Sequence, residues 1–223
     1  MSDPSHKVQI DYYTDVLCVW AWIAQPRLEE LNRQWGDKLA IKHRYVDIFG
    51  DCHKKIPDSW GASDGFERFS AHVAKSVNAF EEISVNKDIW SKTRPHSSLQ
   101  AHLVLKAAEL VAGCEAQERL ALRVREAFFL EAQDIGNMDT LLELASNSLE
   151  GDHQELKQFL SNGRAMAGLS DDLRSASNLG VKGSPTWVMN DGRQILYGNV
   201  GYRILNANIE ELINNPSGGA SWC

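Results

Sequence analysis

Two stretches of alternating hydrophobicity, one near each end of the chain, enclose a long middle whose apolar residues recur at helical spacing. That arrangement constrains the fold more than any other feature, because a sheet built from both ends must close around whatever the middle forms. Val8 to Thr14 alternates as a strand, Val19 to Trp35 reads as a helix, and Leu39 to Ile48 alternates again. Such a strand, helix, strand unit is expected to be right-handed with parallel strands. Pro26 falls inside the helical pattern of Ile23, Leu28, Leu31 and Trp35, where a proline should kink it. Thr186 to Met189 and Gln194 to Tyr197 read as a hairpin across Asn190-Asp191-Gly192-Arg193, whose Asp-Gly pair tolerates positive φ. From Ser63 to Leu179 the period is mostly helical, carried by Phe66, Phe69, Val73, Val77 and Phe80, then Leu99, Leu103 and Leu110, then Leu120, Val124 and Phe128. A last helix, from about Tyr202 to Asn214, should cover the sheet. The class expected is α/β.

The chain has 223 residues, enough for a large core, and a formal net charge of −7, which argues against nucleic acid or an anionic membrane as the main partner. No apolar run approaches the ~20 residues needed to span a bilayer. The opening Met1-Ser2-Asp3-Pro4-Ser5-His6-Lys7 lacks the basic and apolar regions of a secretory signal, so a cytoplasmic protein is expected. The four cysteines and seven histidines show no zinc spacing, so neither a disulfide scaffold nor a structural metal is expected.

Cys18 sits where the first strand pattern gives way to the helix. A thiolate is the reactive form of cysteine, and helix-end amides stabilise it, so Cys18 at the start of a helix near Val19 should titrate below the free-thiol value of about 8.5. Burial among Val16, Leu17, Val19 and Trp22 pushes the other way, and the helix end is expected to win. A small buried hydrophobe is the alternative reading, since residues 16 to 24 are continuously apolar. Cys52 follows a strand-like segment. Cys114 lies in the helical middle, where a packed thiol is expected. Cys223 ends a tail, Asn214 to Trp222, whose composition suits a flexible segment.

Several motifs together resemble the DsbA family of thioredoxin-fold proteins, in particular its FrnE-like and 2-hydroxychromene-2-carboxylate isomerase-like branches. They are Tyr12 to Trp22 around Cys18, Pro26 eight residues on, the segment Arg125 to Ile135 followed by Leu141 to Ala145, and Ala176 to Val188. The last contains Gly180-Val181-Lys182-Gly183-Ser184-Pro185-Thr186, similar to the family's Gly-Val-x-Gly-x-Pro pattern. The likeness runs from about residue 8 to 213. It implies a thioredoxin-like domain at 1–60 and 166–223 with an all-helical subdomain inserted at 61–165. It also implies a cis Ser184–Pro185 bond beside Cys18, with Cys18 as nucleophile, Trp20 shaping the site, and Ser184, Pro185 and Thr186 presenting substrate.

The family's redox motif is Cys-x-x-Cys, yet this chain reads Cys18-Val19-Trp20-Ala21. Without a resolving thiol at Ala21, internal exchange cannot occur and turnover must borrow a thiol. The resemblance then implies a monothiol oxidoreductase with glutathione as co-substrate and no tightly bound cofactor, Cys223 or Cys52 being remoter sources of the second thiol. Kappa-class glutathione transferases and 2-hydroxychromene-2-carboxylate isomerases share the architecture and lack the redox pair, although they place serine at the position of Cys18. A glutathione-dependent isomerase or transferase is therefore an alternative, and a non-catalytic binding module is a third. The kappa relatives tend to dimerise, which leaves a homodimer open.

Overall fold

The computed structural model describes residues 7–149 and 153–216. Cys223 lies outside them. A mixed four-stranded sheet has the order β2-β1-β3-β4, with β1 (Val8–Thr14) parallel to β2 (Leu39–Tyr45) and antiparallel to β3 (Thr186–Met189), which pairs antiparallel with β4 (Gln194–Tyr197). The sheet therefore joins the two ends of the chain, as the alternation predicts. Asn190, Asp191 and Gly192 all take positive φ in the hairpin turn. The second strand stops at Tyr45, short of the predicted Ile48. The Val46 amide makes one further bond to the Thr14 carbonyl, and a turn from Asp47 to Gly50 then redirects the chain.

Helix α1 (Val19–Trp35) crosses from β1 to β2, with Cys18 as its N-cap residue in extended conformation and Gly36 closing it at φ 42°. Pro26 lies inside it, and the helix continues on both sides. One face of the sheet packs Val8, Ile10, Tyr12, Leu39, Trp187 and Met189 against Leu28 and Leu31 of α1 and Leu205, Ile209 and Leu212 of α8 (Tyr202–Asn214). The other face packs Tyr13, Val46 and Val188 against Ala176 of α7 (Arg164–Asn178). Helix α7 ends at Gly180, whose φ of 67° suits the residue just past a helix.

The middle of the chain is helical: α2 (Cys52–Trp60), α3 (Gly65–Val77), α4 (Leu99–Phe129), α5 (Met138–Ser148) and α6 (His153–Ser161). Their apolar faces meet in the largest core cluster, which includes Phe66, Phe69, Val73, Leu120, Val124, Phe128 and Phe129 and extends to Cys18, Val19 and Trp22 of the site. Helix α2 is not foreseen from the sequence, where Pro57 obscures it. Asp51 caps it by accepting the Lys54 amide at 3.0 Å. Helix α4 is interrupted at Gly113, whose φ of 83° and ψ of −179° are not helical. Beside that break Cys114 is exposed, contrary to the packed thiol expected, because it falls on the solvent side of α4.

Candidate active site

The site forms where β1 ends and α1 begins. The Cys18 amide donates to the Asp15 carbonyl at 3.1 Å, and the Cys18 carbonyl accepts from the amides of Ala21 and Trp22. These bonds place the thiol at the helix N-terminus, facing the loop before β3. There the Ser184–Pro185 bond is cis. Cys18 Sγ donates to the Ser184 carbonyl at 3.1 Å, while the Ser184 hydroxyl accepts the Asp15 amide at 2.9 Å. The two chain ends are thus tied at the site itself, and the Gly198 amide anchors the Pro185 carbonyl at 2.8 Å.

The other residues singled out from the sequence divide by exposure. Trp20 is 36% exposed at the mouth of the site, whereas Ala21 is fully buried behind Cys18. The Thr186 side chain points inward, its hydroxyl donating to the Gly183 carbonyl at 2.9 Å, so it closes the loop rather than facing a ligand. Cys52 is fully buried on α2, its Sγ 3.4 Å from the Phe49 carbonyl, and burial pushes its thiol far up. That environment is unsuited to a resolving thiolate.

Cys18 itself is only 5% exposed. Burial raises its pKa from the ordinary value, opposed by hydrogen bonding from Ser184 and from the Ala21 amide, while the Asp15 carboxylate adds to the rise. This corrects the expectation of a low pKa: desolvation among apolar neighbours outweighs the helix-end amides.

Beneath the thiol lies a polar layer that the sequence reading missed. Asp15 is fully buried, its carboxylate accepting from the amides of Leu17 at 2.9 Å and Phe49 at 2.8 Å and from the Ser98 hydroxyl at 2.8 Å. Burial pushes its pKa up to about 6, although those three bonds favour the ionised form. His102 of α4 accepts the Val16 amide at 3.2 Å and sits 3.8 Å from Asp15, its pKa pushed down to about 3 by burial and by Arg125. Asp15 could have been noticed as the one acid in the apolar run before Cys18. His102 and Arg125 lie on helical faces whose partners are remote in sequence, and no local pattern marks them.

Further along α1 a cavity of about 400 Å³ is lined by Ile23, Pro26, Arg27, Phe80 and Ile83 with Glu81 and Glu82. Among the described residues no cluster of His, Cys, Asp or Glu is arranged to hold a metal. Nor is any helix among them long and apolar enough to cross a membrane.

A thiol at a helix N-terminus opposite a cis-proline loop, on a mixed sheet of this order, defines a thioredoxin-like protein. The family description "DSBA-like thioredoxin domain" matches residues 9–210, and the chain belongs to that family. Among curated relatives, the ClpXP adapter protein SpxH of Halalkalibacterium halodurans is 27% identical over 184 residues, covering 81% of this chain and 58% of that protein. SpxH of Bacillus subtilis is 24% identical over 185 residues, with 82% and 58% covered. The chain thus spans 58% of the length of both. Among solved structures, the cytosolic disulfide reductase DsbM from Pseudomonas aeruginosa superposes with a TM-score of 0.68 at 20% identity, covering 91% of this chain and 98% of that one. A 2-hydroxychromene-2-carboxylate isomerase superposes with a TM-score of 0.65 at 18% identity, covering 96% and 100%. At those identities the likeness is one of fold.

Proposed function

We propose that this protein is a monothiol thiol–disulfide oxidoreductase working with glutathione. The observation that carries the reading is Cys18 Sγ at 3.1 Å from the Ser184 carbonyl, beside the cis Ser184–Pro185 bond, with a buried alanine where a second thiol would stand. The Cys18 thiolate attacks one sulfur of a substrate disulfide, a new S–S bond forms to Cys18, and the departing thiolate takes up a proton. A glutathione thiolate then attacks the mixed disulfide and forms the next disulfide, returning Cys18 as thiolate. Arg27, Phe80 and the rest of the cavity beside α1 are of a size to seat the part of the substrate not joined to sulfur. A neighbouring fold, DsbM, has been solved with glutathione, which supports the choice of co-substrate. The cytoplasm, where reduced glutathione is maintained, is the compartment that suits such a cycle.

A second reading is favoured by two observations: curated relatives are named as ClpXP adapter proteins, and burial raises the Cys18 pKa. In that reading the same loop binds a protein partner without exchange. Glutathione-dependent reduction of a small disulfide by wild type, Cys18→Ser and Ala21→Cys separates the readings. The oxidoreductase should lose the activity in Cys18→Ser and gain a glutathione-independent phase in Ala21→Cys. Activity of an isomerase or transferase kind that survives Cys18→Ser would replace this reading with the kappa-like one. An inert wild type whose partner affinity survives Cys18→Ala would replace it with the adapter.

A further inference from the structure

The cavity beside α1 lies between two walls of opposite charge. Pro26 and Arg27 follow Ile23 by three and four residues, so the three share one face of the helix and form the first wall. The second wall is the segment from Phe80 to Ile83. That segment is fixed: the Ile83 amide donates to the Phe80 carbonyl at 3.1 Å, and the Trp22 indole N–H donates to the Ser84 carbonyl at 3.0 Å. Half-buried Arg27 folds back along the helix, its Nη1 donating to the Ile23 carbonyl at 3.3 Å and to Asn199 Oδ1, with the guanidinium carbon 5.8 Å from the centre of the Phe80 ring. Both bonds use the same nitrogen, so Nε and Nη2 have no hydrogen-bond partner among the described residues. Glu81 and Glu82 are exposed on the opposite wall and pair with no cation among the described residues.

This cavity is coupled to the thiol site. Asn199 follows Gly198, whose amide holds the Pro185 carbonyl, so the guanidinium is tied to the cis-proline loop as well as to α1. Ile23, beside which the guanidinium sits, is five residues past Cys18, about 7.5 Å along the helix axis. An α-amino acid head joined to cysteine through its side-chain carboxyl reaches about 7–10 Å from the sulfur when extended, which covers that distance. The charges are complementary too. A guanidinium with Nε and Nη2 free is a side-on receptor for a carboxylate, and a carboxylate across the cavity accepts an ammonium. A simple anion would meet Glu81 and Glu82, and a simple cation would meet Arg27, so the arrangement favours a ligand that carries both charges.

Resting on the reading of Cys18 as the exchanging thiol, we propose that this cavity selects thiols and disulfides whose sulfur arm ends in a free α-amino acid head, of which the γ-glutamyl end of glutathione is the type. Arg27 takes the α-carboxylate, Glu81 and Glu82 take the α-ammonium, and Phe80 covers the methylenes between. The glycine end of glutathione stays outside the cavity.

Titration calorimetry of the full chain with S-methylglutathione, which cannot exchange, tests the cavity apart from the chemistry. Wild type should bind it, and Arg27→Met should weaken binding roughly tenfold or more. Acetylating the α-amine of the ligand should weaken binding to wild type by a similar factor. The double variant Glu81→Gln, Glu82→Gln should bind the free and acetylated ligands alike. Because both glutamates are exposed, this arm decides the matter even if Arg27→Met fails to fold. No binding to wild type, or a penalty for acetylation equal in wild type and the double variant, would overturn the cavity assignment while glutathione-dependent reduction at Cys18 could stand. Wild type that binds S-methylglutathione with these dependences yet reduces no disulfide would uphold the cavity and sink the exchange reading.

Discussion

The chemistry at Cys18 is set by two opposed local fields. Helix-end amides and Ser184 favour the thiolate, whereas burial and the Asp15 charge disfavour it, and burial is the larger. Modification of Cys18 by iodoacetamide, followed by peptide mass analysis, should therefore still accelerate as pH passes 9. Asp15→Asn removes the like charge and should bring the half-point of that curve down, although the variant loses part of the support given to the Leu17 and Phe49 amides. A half-point that stays put in Asp15→Asn would show that the carboxylate does not reach the sulfur. Cys18 was legible in the sequence because its neighbours carry a recognisable local pattern, and the cis bond at Pro185 was legible through the same resemblance. Its ionisation was not, since desolvation is contributed by residues such as Trp22 packed into a core assembled from distant segments.

At the scale of elements, the strands and α1 follow from patterning that is local and therefore visible. Helix α2 was hidden by Pro57, and the break in α4 at Gly113 was hidden by apolar periodicity that runs on either side of it. The backbone of Gly113 lies in a region open to glycine almost alone, so the constraint is on φ rather than on space: nothing stands within 4 Å of an added Cβ. Gly113→Ala should lower stability by about 2 kcal/mol, read from chemical denaturation, and a neutral result would mean that α4 straightens there at no cost.

For the whole molecule, the helical middle and the sheet are joined by buried charge. Asp172 of α7 accepts the Tyr45 amide and pairs with Arg44 of β2 at 3.1 Å and with Lys106 of α4 at 3.2 Å. Asp172→Ala leaves both cations without that partner and should cost about 3 kcal/mol, measured by denaturant midpoint. Buried titratable groups tie stability to pH as well. His43 and His102 are held down to about 3, so the unfolded chain, with histidines near 6.5, binds two more protons than the folded one through most of that window. Asp15, raised to about 6, works in the opposite sense between its ordinary 3.8 and 6, where the folded state holds one more proton. Asp172 and Glu118, also raised by burial, act in the same sense as Asp15. The histidine contribution, up to about 2.7 kcal/mol for each unit of acidification from pH 6 to 4, is therefore read by comparing wild type with a His43→Gln, His102→Gln variant. The variant should lose less stability over that range, and equal changes in denaturant midpoint would refute the buried neutral histidines. Incubating the intact protein with oxidised glutathione and locating the adducts by mass decides whether Cys18 exchanges as a solitary thiol opposite the cis-proline loop. A glutathione disulfide should form on Cys18 and persist until fresh thiol is added; an unmodified Cys18 in protein that carries glutathione only on Cys114 would rule out exchange at this site.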